Sequence, residues 1–215
     1  MLNRVHITAL LTFAAAVWLV VLLIQGTEVT TDHMLPFGTA VGSLVAIATG
    51  FNHWAWRWKC LHGWFVKKPD IRGTWEIELR SEWINPETGE SPPPIKCFYG
   101  IKQTFSSLKM HLMTPESQSW LLASAIQESP KTNSYQVFGV YTNQPKVELR
   151  GERSEIHYGS FVFDFHGSNN RPDRFDGEYW TDRKTRGSMT GKQITKQTLS
   201  TFEDAELASS SDEII

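Results

Sequence analysis

The chain has 215 residues, and 21 Lys+Arg against 23 Asp+Glu give it a formal net charge of -2. That balance excludes a protein dominated by contacts to a nucleic-acid backbone, which would be strongly basic. A hydrophobic content of 40% excludes a wholly disordered chain, and two cysteines in unlike surroundings, Cys60 and Cys97, exclude a disulfide framework.

Charge is split along the chain. Residues 1–66 carry only Arg4, Glu28, Asp32, Arg57 and Lys59. The split predicts a membrane segment joined to a soluble domain. Val5 to Ile24 has no formal charge, and at about 1.5 Å per residue it reaches across a hydrocarbon core of roughly 30 Å. A signal peptide would need a shorter apolar core and a small-x-small cleavage site, which Leu22-Leu23-Ile24-Gln25-Gly26 does not offer. A second apolar stretch runs from Leu35 to Phe51, with Pro36 suited to a first helical turn. Together they predict a transmembrane hairpin of two α-helices over 1–66. Trp54, Trp56, Trp58 and Trp64 then read as an interfacial belt.

Arg4 precedes the first stretch, and Arg57, Lys59, Lys67 and Lys68 follow the second, while the loop Gln25 to His33 has no cation. The positive-inside rule therefore predicts a multi-pass protein of the inner (cytoplasmic) membrane with both termini cytoplasmic. Gly38, Gly42, Ala46 and Gly50 make a smooth stripe on the second helix. Small residues at this spacing suit close helix packing, either within the hairpin or between chains.

From Asp70 the texture changes to a period of two. Trp75, Ile77 and Leu79 alternate with polar neighbours, Ile95, Cys97, Tyr99 and Ile101 with Lys96, Phe98, Gly100 and Lys102, and Leu108, Met110 and Leu112 with Lys109, His111 and Met113. Further strand-like runs are Ser119–Gln127, Tyr135–Thr142, Ser160–His166, Arg174–Thr181 and Arg186–Ile194. Asn143 to Tyr158 reads as a capping loop or a short helix. Eight short strands joined by turns over 67–199 predict an all-β domain, an eight-stranded antiparallel up-and-down barrel, with a two-sheet sandwich as the alternative. Gly73-Thr74-Trp75 resembles the G-x-W of lipocalin-like barrels, in which the Trp closes the base. The tail 200–215 is acidic and serine-bearing and predicts disorder.

Catalytic and metal chemistry find little support. Asp164 and His166 share a strand face, with His157 upstream, but only the first two have a fixed relation, so no metal is expected. There is no G-x-S-x-G and no Gly-rich loop feeding a helix. The chain therefore reads as a non-enzyme. The densest segment is Gly177-Glu178-Tyr179-Trp180-Thr181-Asp182-Arg183-Lys184-Thr185-Arg186-Gly187. In an extended strand Gly177, Tyr179, Thr181 and Arg183 share one face. A ring there can stack on a base and a guanidinium can hold a phosphate; a structural Arg closing the barrel end is the other reading.

Two N-terminal helices, a basic exit and an eight-strand pattern ending in G-x-Y-x-T-x-R resemble the two-helix β-barrel effectors of CBASS antiphage systems (CD-NTase-associated protein 15). The resemblance covers about residues 1–196. It implies an inner-membrane protein whose barrel senses a cyclic dinucleotide made by a cognate nucleotidyltransferase. Sensing would drive homo-oligomerisation of the helices, disruption of the lipid bilayer and death of the infected cell. It implies no cofactor beyond an activating 3′,3′-linked cyclic dinucleotide, and no DNA or RNA polymer as partner. The motif carries over to Gly177, Tyr179, Thr181 and Arg183. Arg183 and Arg186 are the expected phosphate partners, Tyr99, Tyr141 and Tyr179 the expected stacking rings, and Trp75 the floor. The rival reading is a membrane-tethered binder of an apolar ligand, kept open by the inward sets Ile95/Cys97/Ile101 and Phe161/Phe163/Phe165. A membrane anchor with a filled barrel is a third.

Overall fold

The alternation that begins at Gly73 closes on itself. A computed structural model describes residues 4–26, 30–85, 88–129, 134–150, 155–167 and 170–212; in the two N-terminal helices, side chains are described for 12–24, 38–39 and 41–53. Eight strands, β1 (Gly73–Ser81), β2 (Ile95–Gln103), β3 (Leu108–Met113), β4 (Ser117–Glu128), β5 (Tyr135–Pro145), β6 (His157–His166), β7 (Arg174–Thr181) and β8 (Arg186–Thr195), form a closed antiparallel barrel in chain order. β1 pairs with both β2 and β8, so no edge is left open. The sandwich alternative falls away. The stretch from Asn143 is neither only loop nor only helix: β5 runs on to Pro145, a short 3-10 turn spans Val147–Leu149, and β6 starts at His157.

Period-two patterning puts one set of side chains inside. Trp75, Ile77, Cys97, Tyr99, Ile101, Val137, Phe161, Phe163, Phe165, Phe175 and Met189 form one buried cluster. Trp75 is fully buried, with its indole N–H donating to the Ile71 carbonyl at 2.9 Å and its ring edge-on to Phe165 at 5.2 Å. This end of the barrel is therefore solid. The apolar-ligand reading expected the Phe161/Phe163/Phe165 and Ile95/Cys97/Ile101 sets to line a pocket. Instead the three phenylalanines, Cys97 and Ile101 fill the interior against one another, and only Ile95, 39% exposed, stands at the open end of the barrel.

The chain divides into two units, Met1–Lys59 with Thr104–Ser107, and Cys60–Gln103 with Leu108–Ile215. The first holds α1 (Arg4–Ile24) and α2 (Thr31–His53). Among the described residues no helix is long and apolar enough to cross a membrane. Spanning the hydrocarbon core takes about 20 consecutive apolar residues. In α2 the apolar run is interrupted by Thr39, Ser43, Thr49 and Asn52.

The expectation of two transmembrane helices is thereby overturned, and with it the two-helix CBASS effector architecture, the bilayer as a partner and membrane disruption by assembled helices. The multi-pass inner-membrane location with both termini cytoplasmic loses its premise. The Gly38/Gly42/Ala46/Gly50 stripe lies on α2, and among the described residues a Cβ built on Gly38, Gly42 or Gly50 would meet nothing within 4 Å. The tryptophan belt is not uniform either: Trp54, Trp58 and Trp64 are exposed, whereas Trp56 is fully buried.

The acidic tail is also corrected. Phe202–Asp212 is a helix, α3, rather than disordered. Thr201 caps it, its hydroxyl accepting from the Asp204 N–H at 3.2 Å and donating to the Asp204 carboxylate at 2.6 Å. Ala205 is buried against Phe98 and Met113 on the outer wall, and the Phe98 and Phe202 rings meet at 5.3 Å.

Candidate ligand-binding site

Opposite the Trp75 floor the barrel is open. A cavity of about 660 Å³ is lined by Leu79 and Ser81 from β1, Ile95 from β2, Leu112 from β3, Ser117 and Ser119 from β4, Tyr141 and Asn143 from β5, His157 from β6, Tyr179 and Thr181 from β7, and Met189 from β8. Trp83, Pro92, Pro93, Thr114 to Glu116, Arg183 and Thr185 extend its rim. The volume lies within the range for organic ligands, roughly 300–1,000 Å³.

Two tyrosines line its inner wall because glycines make room for their rings. On β6, a Cβ at Gly159 would come within 2.4 Å of Tyr141 Cζ. On β8, a Cβ at Gly187 would meet Tyr179 Cε1 at 2.8 Å. The backbone closes in at the same points, with the Trp180 carbonyl oxygen 2.8 Å and the Arg80 carbonyl oxygen 2.0 Å from those two added carbons. No side chain fits at either position without displacement.

Burial pushes both phenols up. For Tyr141 the neighbouring Tyr179 and Asp182 add to the effect; for Tyr179 a hydrogen bond with Ser81 works partly against it. Both are neutral hydroxyls at physiological pH. Burial likewise drives the Cys97 thiol up to about 12, so it is an inert core group and not a nucleophile.

The β7–β8 connection departs from the extended geometry that sequence parity assumed. β7 ends at Thr181, whose N–H donates to the Thr185 carbonyl at 2.9 Å, while the Lys184 N–H donates to the Thr181 carbonyl at 3.1 Å. Lys184 has φ 61°. The Thr181 and Thr185 hydroxyls share a hydrogen bond of 2.7 Å. Arg183 therefore stands at the rim because the chain turns over the mouth, not because it continues the strand face.

The expected site residues divide accordingly. Tyr141, Tyr179, Thr181 and Arg183 come together at the cavity. Tyr99 does not: it is buried one layer down, its hydroxyl 3.9 Å from the Met189 sulfur, and burial raises its pKa strongly. Arg186 does not line the cavity either, and its guanidinium pairs with Glu82. Sequence reasoning missed Ser119 and Asn143 and weighed His157 only as a metal ligand. Ser119 opened one expected strand and Asn143 lay just past the end of another, whereas β5 runs on to Pro145 and brings Asn143 into the wall.

The family model for the Cap15 cyclic dinucleotide receptor domain matches residues 66–193, which includes the whole barrel except the last residues of β8. No curated protein matches the chain.

Proposed function

The chain belongs to the Cap15 cyclic dinucleotide receptor domain family, and from that premise we propose that the open end of its barrel is where the dinucleotide is held. The domain is a receptor and not a catalyst, and its activating ligand is a cyclic dinucleotide. The observation that carries the location is the cavity itself: a space of about 660 Å³ with two aromatic rings in its wall and a guanidinium at its rim.

Each part has a task that follows from its chemistry. Tyr141 and Tyr179 offer faces on which bases stack, and their neutral hydroxyls donate hydrogen bonds without repelling an anion. Arg183 reaches the phosphates through paired N–H donors and cannot lose its charge. The Thr181 and Thr185 hydroxyls stand beside it for the remaining phosphate or ribose oxygens. The apolar wall beneath, from Leu79, Leu112 and Met189, excludes water and strengthens these polar contacts.

Titration of the full chain with a panel of 3′,3′-linked cyclic dinucleotides tests the proposal. Arg183→Ala should weaken binding by about 1.5–3 kcal/mol, the scale of a charge-assisted hydrogen bond. Arg183→Lys should restore only part, because a point charge lacks the planar fork. Melting temperatures separate this from a structural Arg, whose loss lowers stability and leaves affinity alone. No binding of any panel member by the wild-type chain would sink the proposal.

A further inference from the structure

A row of polar side chains crosses β4, β5 and β6 on one side of the cavity. In the sheet register Leu112 of β3 faces Ser119 of β4, Ser119 faces Asn143 of β5, and Asn143 faces His157 of β6. All four line the cavity. Ser119 and Asn143 are 5% and 8% exposed. A hydroxyl and a carboxamide in such a place are costly unless their polar atoms are satisfied.

The existing bonds orient what remains. The Ser119 hydroxyl donates to Asn143 Oδ1 at 2.8 Å. With the amide in this orientation the Nδ2 hydrogens are the donors for a ligand in the cavity. His157 Nδ1 donates to the Glu155 carbonyl at 3.0 Å. In the neutral ring this makes Nε2 an acceptor. Asn143 and His157 are cross-strand partners on one face, so their side chains are neighbours about 5 Å apart at the Cβ atoms.

We propose that Ser119, Asn143 and His157 form a reading edge for one base of the cyclic dinucleotide, Asn143 donating to a base acceptor and His157 accepting from the adjacent base N–H. The proposal rests on the cavity being the dinucleotide site and adds to it what selects the ligand. A phosphate presents acceptors only and has no N–H to offer the Nε2 acceptor. The edge of a nucleobase presents acceptor and donor side by side. The cationic turn at Arg183 and the donor–acceptor row on β4–β6 therefore suit different parts of the same molecule. Ser119 is a positioning residue: it holds the amide in the orientation that reads.

The test measures a ratio. The full chain is titrated with cyclic dinucleotides that differ only in their bases, and the preferred ligand is compared with its base-swapped analogues. Asn143→Asp replaces the donors by acceptors and should cost about tenfold or more for the preferred ligand, the scale of one lost base contact, and less for the analogues. Ser119→Ala releases the amide to turn over, and the preference should shrink while analogue affinity is kept. His157→Phe, which keeps a ring and removes the acceptor, supplies the same readout if Asn143→Asp fails to fold. Preference ratios unchanged in all folded variants, with only the melting temperature lowered, would make the row a structural bond and overturn the proposal. A wild-type chain that binds dinucleotides without any base preference would overturn it too while leaving the site reading intact, and a wild-type chain that binds none would overturn both.

Discussion

At the scale of single residues the solid end of the barrel is tied by buried polar groups. The Ile71 N–H donates to Gln103 Oε1 at 3.0 Å, and Gln103 Nε2 donates to the Pro69 carbonyl at 2.9 Å. Beside them Asp70 receives two parallel bonds from the Arg72 guanidinium, at 2.7 and 2.8 Å. Burial by itself would raise the Asp70 carboxyl, but the hydrogen bonds and charge of Arg72 outweigh it and hold the group below its ordinary value of 3.8. A carboxylate lowered in the folded state adds stability above its ordinary value and loses it as pH falls through the folded value. Asp70→Asn should therefore lower the melting temperature at neutral pH. The gap from wild type should close as the buffer is taken below about pH 3.8, the ordinary value just given. Melting curves across pH 2–7 check this; a gap that persists in acid would show that the Asn change acts through packing instead.

At the scale of elements, α3 shows which parts of the fold were legible and which were not. The eight strands follow from period-two alternation, and their ends fall within a few residues of the expected ones because turn residues mark them. The alternation assigned Phe98 to a wet outer face, and such a large apolar residue there needed a cover. The cover is α3, and the Thr201-Phe202-Glu203-Asp204 cap that starts it was readable. Net acidic composition hid it, since a polar helix leaning on one or two apolar contacts resembles a disordered tail. Strand parity gave Arg183 a place on the Tyr179 face, yet the expected strands end at Thr181 and resume at Arg186, and it is the turn between them, with Lys184 at positive φ, that puts Arg183 at the mouth. The polar link between α3 and the wall is Glu76, which accepts from the Ser209 hydroxyl and lies 3.4 Å from both Lys96 and Lys192. Truncation after Ser200 would bare Phe98 and Met113 and should cost about 1.5–3 kcal/mol, the value of burying one large apolar side chain. Chemical denaturation of the truncated and full chains gives the difference, and an unchanged midpoint would mean that α3 only rests on the surface.

At the scale of the whole molecule the barrel is two-sided along its axis, packed with aromatic rings around Trp75 and hollow at the other end. Packing and ligand contact therefore draw on different residues. Phe163 is fully buried, stacks on Phe161 at 4.2 Å and meets Phe175 at a tilt, centroids 4.8 Å apart. It lies in the filled layer and does not line the cavity. Truncating it to Leu should destabilise the chain by about 1–3 kcal/mol through lost volume and leave dinucleotide affinity within a factor of about two, since it does not line the cavity. Tyr141→Leu should do the reverse. It lies over Gly159 in the cavity wall, so its loss removes a stacking face worth about 1–3 kcal/mol of binding with a smaller cost to stability. Ligand present at 100 times its dissociation constant should raise the stability of wild type and of Phe163→Leu by the same amount, about 2.7 kcal/mol, because each variant is then saturated relative to an unchanged affinity. At that same ligand concentration Tyr141→Leu should gain less. Denaturation with and without ligand on the three chains measures all four quantities. Equal loss of affinity in both variants would mean that the filled layer and the mouth act as one body, and the division of the barrel into a supporting end and a reading end would fall.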